Sequence, residues 1–100
     1  MGERKTLEAI RQRLQDVMPF LAKEYQVESL AVFGSYVRAE QDQQSDLDLL
    51  VTFEISPGLL RYIELESYLS KMLDLQVDLV MKAALKPRIG ERILREIEPV

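Results

Sequence analysis

Ser45-Asp-Leu-Asp-Leu-Leu-Val-Thr-Phe53 decides how this chain folds and what it is equipped to do. Its apolar residues fall on alternate positions, which is the period of a β-strand. Leu47, Leu49, Val51 and Phe53 share one face and are expected to pack under helices. Asp46 and Asp48 share the other face, with Cα atoms about 6.6–6.8 Å apart at the usual rise per residue. At that spacing two carboxylates can converge on the same divalent ions. Without ions they repel, which raises one pKa or destabilises the fold. The plain alternative is an exposed strand end whose charges are simply solvated.

Upstream, Leu30-Ala31-Val32-Phe33 is a continuous apolar run, expected within a strand over 28–33 that is covered on both faces. Gly34-Ser35 ends it. Gly34 lets a backbone approach a ligand closely. Ser35, if it opens a helical turn over 35–40, offers a hydroxyl and nearby N–H groups to phosphate oxygens. Arg38 adds positive charge beside them, or else serves a surface salt bridge. A polar loop follows from Glu40 to Gln44.

Downstream, Leu75-Gln-Val-Asp-Leu-Val-Met81 repeats the alternation. Leu75, Val77, Leu79 and Met81 share one face, and Asp78 points the other way with Gln76 and Val80. If this strand neighbours 46–53, Asp78 falls beside Asp46 and Asp48, about 4.8 Å across the sheet. Three carboxylates on one face of apolar strands are costly without a metal.

Helices account for the rest. Leu7, Ile10, Leu14, Val17 and Leu21 form one stripe of a helix over 4–24, with a kink or break expected near Val17–Met18 because Pro19 removes a backbone bond. Ser56 is expected to cap a helix starting at Pro57 and burying Leu59, Tyr62, Leu65, Leu69 and Leu73. Tyr62 and Tyr68 read as packing residues. A last helix over 87–97 carries Ile89, Ile93, Leu94 and Ile97 on one face, which caps the core or in part receives a partner. The order helix, strand, strand, helix, strand, helix predicts an α/β (α+β) fold: a small mixed sheet of about three strands covered by helices.

Composition narrows the chemistry. The 100 residues suit one domain, 1–100, with one core. There is no cysteine and no histidine, so disulfides, thiolate catalysis and histidine-bound zinc are excluded. A general base has to be a carboxylate, Lys, Tyr or water, and a metal site has to use oxygen ligands, as Mg²⁺, Mn²⁺ and Ca²⁺ do. The net charge of −4, without a Lys/Arg cluster, argues against direct nucleic acid binding. It is compatible with a basic protein partner. No apolar run approaches the length of a membrane span, and no secretion signal is recognisable at the N-terminus, so a cytoplasmic protein without membrane contact is expected.

Taken together, Phe33-Gly-Ser-Tyr-Val-Arg38, Ser45-Asp-Leu-Asp-Leu-Leu-Val51 and Val77-Asp-Leu-Val80 resemble the DNA polymerase β-like nucleotidyltransferase superfamily. The Gly-Ser-x10-Asp-x-Asp spacing and short length look like its minimal branch, the MNT antitoxins that accompany HEPN-domain ribonuclease toxins. The resemblance runs from the first helix to Lys86-Pro87-Arg88-Ile89. It implies two Mg²⁺ ions held by Asp46 and Asp48, with Asp78 on the catalytic ion and helping to deprotonate the acceptor. It implies that Gly34 and Ser35 hold the β- and γ-phosphates of ATP, with Arg38 nearby. The implied activity is protein adenylylation: AMP passes from ATP to a tyrosine hydroxyl of the HEPN toxin and inactivates it. A chain this short is expected to rely on that partner to present the acceptor, and to oligomerise mainly through the toxin complex. Two other functions are compatible with the same motifs: an antitoxin that neutralises by binding alone, and a nucleotidyltransferase for a small molecule or nucleic acid. Members of the family often carry glycine after the motif arginine. Ala39 stands there, which stiffens the loop but removes no functional group.

Overall fold

A computed structural model describes residues 6–40 and 45–100. The first helix, α1, spans Leu7–Tyr25. It begins where the Thr6 hydroxyl accepts from the Ala9 N–H at 3.1 Å. The predicted start at residue 4 lies outside the described residues, as does all of the predicted loop from Glu40 to Gln44 except Glu40 itself. Ile10, Leu14 and Leu21 are buried, as the stripe requires. Of the kink or break expected near Val17–Met18, the break does not occur: α1 continues through Pro19 to Tyr25. Both Pro19 and Gln15, whose carbonyl loses its helical partner, are exposed, so water can take the place of the missing bond.

Among the described residues four strands form one sheet in the order β3-β2-β1-β4, one more than the three or so predicted. β1 is Val27–Phe33 and β2 is Leu47–Phe53, paired antiparallel. β3 is Val77–Met81, parallel to β2. β4 is only Glu98–Pro99, antiparallel to β1 opposite Ala31 and Val32. So short a strand, containing a proline, carries no periodic signal. Proline is tolerated there because β4 lies at the edge of the sheet.

The crossover from β2 to β3 is α2, Leu59–Leu73. It starts two residues later than predicted. Gly58, extended at φ −71° and ψ 166°, takes the N-cap position, and Ser56 makes no cap. Leu65, Leu69 and Leu73 are buried and Tyr62 is partly so. Leu59, expected in the core, is 74% exposed because the first turn projects beyond it.

α1 and α2 cover one face of the sheet, over Leu30, Val32, Leu47, Leu49, Val51, Val77 and Leu79. The third helix, α3, is Pro87–Glu96. It lies on the other face, where Ile93 and Ile97 pack against Ala31, Phe33 and Leu50. β1 is thus covered on both faces, as its unbroken apolar run predicts. α3 packs along a different line from the expected stripe of Ile89, Ile93, Leu94 and Ile97. Gly90 is buried close to Leu85, and the packed line runs Gly90–Ile93–Ile97 at helical spacing, leaving Ile89 and Leu94 exposed. Among the described residues no helix is long and apolar enough to cross a membrane.

Candidate active site

The end of β1 and the start of β2 meet because Phe33 and Asp48 are register partners. Immediately after Phe33, Gly34 turns at φ +80°, a region that side chains disfavour. A Cβ there would lie 2.1 Å from the Asp48 Oδ2, so the missing side chain makes the room the carboxylate occupies. A single 3₁₀ turn, Gly34–Tyr36, follows, with Val37 and Arg38 N–H both donating to the Gly34 carbonyl. Tyr36 is buried in the core under α1 and α2, which anchors the turn and leaves the neighbouring Ser35 half-buried at the surface.

β3 brings the third carboxylate. Asp48 and Asp78 are direct partners in the parallel pair, on the face that carries α3. Asp46 is exposed and lies just before β2, whose first bond is from Leu47 N–H to the Gln76 carbonyl at 2.8 Å. Burial, then the charges of Asp78 and Asp46, push the Asp48 carboxyl up to about 6, while Arg38 acts against this. An ionised Asp48 is therefore short of positive charge. Among the described residues no three acidic side chains stand close enough, as placed, to enclose an ion. The donor set nevertheless fits one: two facing carboxylates that repel, a third beside them, and oxygen ligands only.

Arg38 is engaged elsewhere. Its Nη1 meets Glu96 on α3 at 3.0 Å and its Nε meets Glu40 at 3.2 Å. The surface salt bridge weighed as the alternative is therefore present, beside the site rather than away from it. Ala39, next in sequence, is left-handed at φ 57°, a conformation in which glycine is unstrained and alanine is not.

Sequence patterns miss Glu96, Tyr62 and Glu66. The Tyr62 hydroxyl, expected only to pack, donates to the Leu79 carbonyl, and Glu66 accepts from the Leu79 N–H at 2.9 Å. Burial, then Glu66 and Asp78, hold the Tyr62 phenol above its usual range, so it remains a donor. No short motif links these residues. Only the helical spacing of 62 and 66 hints at a shared face.

The family model of the nucleotidyltransferase domain matches residues 4–99. The chain is 49% identical over 92 residues to protein adenylyltransferase MntA of Thermococcus cleftensis, covering 92% of this chain and 93% of that one. A solved structure assigned as a minimal nucleotidyltransferase superposes with a TM-score of 0.83 at 38% identity, covering 99% of this chain and 100% of that chain. The fold is also shared with a toxin–antitoxin crystal structure containing AMP-PNP, at TM-score 0.68 and 24% identity over 90% of this chain and 68% of that one. It is shared again with a complex of a tri-AMPylated Shewanella oneidensis HEPN toxin and its MNT antitoxin, at TM-score 0.65 and 19% identity over 90% and 70%.

Proposed function

We propose that this chain, which belongs to the nucleotidyltransferase domain family, is an antitoxin that moves AMP from ATP to a tyrosine hydroxyl of a cognate HEPN-domain toxin. The observation that carries the reading is Asp48, half-buried opposite Asp78 and seated against a glycine that cannot be replaced without displacing it. A structural role does not call for two facing carboxylates, whereas phosphoryl-type transfer depends on charge neutralisation and positioning.

In this reading Asp46, Asp48 and Asp78 would hold two Mg²⁺ ions. When bound, these neutralise the triphosphate and make the acceptor hydroxyl easier to deprotonate. Gly34 and Ser35 present backbone and hydroxyl donors to the β- and γ-phosphates. Arg38 adds charge to them on release from Glu96. The tyrosine oxygen forms a bond to the α-phosphorus, the bond from that phosphorus to the bridging oxygen breaks, and pyrophosphate leaves. The phenolic proton passes toward Asp78. The partner brings the acceptor tyrosine, and with it the complementary surface that the chain's net charge of −4 favours as basic. A reaction that consumes ATP belongs in the cytoplasm.

The test is intact-mass spectrometry of the partner toxin after incubation with this chain, ATP and Mg²⁺. Mass steps of one AMP, lost in the Asp46→Asn/Asp48→Asn double variant, are expected. A stable complex without a mass change would instead assign neutralisation by binding alone.

A further inference from the structure

β3 lies at an edge of the sheet, so among the described residues no strand neighbours one side of its backbone. Alternation sends the polar groups of Asp78 and Val80 toward β2 and those of Val77 and Leu79 outward. Three side chains of α2 meet that outward row. Ser70 Oγ accepts from the Val77 N–H at 3.1 Å, Glu66 Oε2 accepts from the Leu79 N–H at 2.9 Å, and the Tyr62 hydroxyl donates to the Leu79 carbonyl. Positions 62, 66 and 70 are four apart, so they form one row along the helix.

Val77 and Leu79 are buried, so these bonds satisfy backbone groups that water reaches poorly, and they do more than that. Their effect is to fix position. Leu79 directly follows Asp78, and both of its polar groups are gripped from one helix. A slip of one residue would turn Asp78 to the core face and Leu79 to the site face.

We propose that Tyr62 and Glu66 are positioning residues for the transfer reaction: by gripping both backbone polar groups of Leu79, they hold the Asp78 carboxylate opposite Asp48. The proposal rests on Asp78 being an ion ligand, as read above. Both residues bond to the Leu79 backbone rather than to the carboxylates themselves. Their influence reaches the site through one strand residue, as the outer partners of ion ligands do elsewhere.

The experiment compares Glu66→Leu, Glu66→Gln and Tyr62→Phe in the full chain. Mn²⁺ affinity is read by electron paramagnetic resonance in the presence of α,β-methylene-ATP, whose α–β bridge resists cleavage. Hydrogen exchange at the Leu79 amide is read alongside. Glu66→Leu should weaken Mn²⁺ binding by about tenfold or more and speed exchange at Leu79. Glu66→Gln, which keeps an acceptor, should lose about threefold or less. Tyr62→Phe removes only the hydroxyl and should fall between the two, which keeps the test available should Glu66→Leu fail to fold. Ile10→Val, a destabilising core substitution on α1 rather than on α2 or β3, should leave Mn²⁺ affinity unchanged, separating position from stability. Wild-type Mn²⁺ affinity in Tyr62→Phe and in a folded Glu66→Leu, or equal losses in Glu66→Leu and Glu66→Gln, would overturn the proposal. Asp78→Asn separates the premise. If it leaves Mn²⁺ binding intact, the reading of Asp78 fails and the proposal with it. If it abolishes binding while the α2 variants do not, the grip alone is refuted.

Discussion

Replacing Asp48 with asparagine should stabilise the ion-free protein, by an amount that grows with pH. The Asp48 carboxyl is pushed from 3.8 up to about 6, first by burial and then by Asp78 and Asp46. The folded state therefore holds this proton more tightly than the unfolded chain. Its contribution to stability is fully present below pH 3.8 and is lost as the pH rises through about 6. At about 1.4 kcal/mol for each factor of ten in proton affinity, the shift corresponds to about 3 kcal/mol. Asp48 is only partly buried, and solvent screening reduces this to about 1–2 kcal/mol. Asn does not titrate, so Asp48→Asn escapes the loss. In thermal unfolding with EDTA at pH 7.5 the variant should melt about 5–10 °C above wild type. At pH 4 the two should nearly coincide. Adding Mg²⁺ at pH 7.5 should narrow the gap by stabilising the wild type. A variant that melts at or below wild type at pH 7.5, or a gap that is the same at both pH values, would refute the reasoning.

Four further outcomes are expected. Gly34→Ala should destabilise by about 1–3 kcal/mol in urea unfolding and abolish transfer, since its Cβ displaces the Asp48 carboxylate and its φ is left-handed. Ala39→Gly should stabilise by about 0.5–1 kcal/mol, because relief of the left-handed strain at φ 57° outweighs the added freedom of the unfolded chain. Glu96→Gln should change unfolding by less than about 1 kcal/mol, as expected of a partly exposed ion pair, yet lower the KM for ATP by freeing Arg38. Pro19→Ala should raise stability by about 1 kcal/mol or more by restoring a helical bond within α1, measured by thermal unfolding.

What could be read from the sequence follows from how local each signal is. The alternation over 47–53 and 77–81 gives both strand faces, and the adjacency of β2 and β3 puts Asp48 beside Asp78. The unbroken Leu30–Phe33 run announces a strand covered twice. Local rules failed where tertiary context decides. Pro19 stays helical because its orphaned carbonyl partner faces water. Leu59 continues a helical stripe but lies beyond the core it should join. The packed side of α3 turns on Gly90, whose small size admits Leu85, and periodicity counts glycine as nothing. Arg38 and Glu96 are separated by 58 positions, and no motif records such a pair. The same holds for the grip of α2 on Leu79, which joins residues 13 and 17 positions apart.

The row of Tyr62, Glu66 and Ser70 also bears on how this molecule meets others. An open strand edge is a template on which another chain can lay a further strand, and crowded copies of small sheet proteins associate in that way. Here the outward N–H groups of Val77 and Leu79 and the Leu79 carbonyl are already occupied by side chains of the same molecule. A visitor at this edge finds little backbone to pair with, so sheet extension beyond β3 is closed both to a partner and to a second copy. Recognition at this end of the sheet is left to side-chain contacts, and the edge next to the carboxylates resists the fibrous stacking to which a bare strand would be prone.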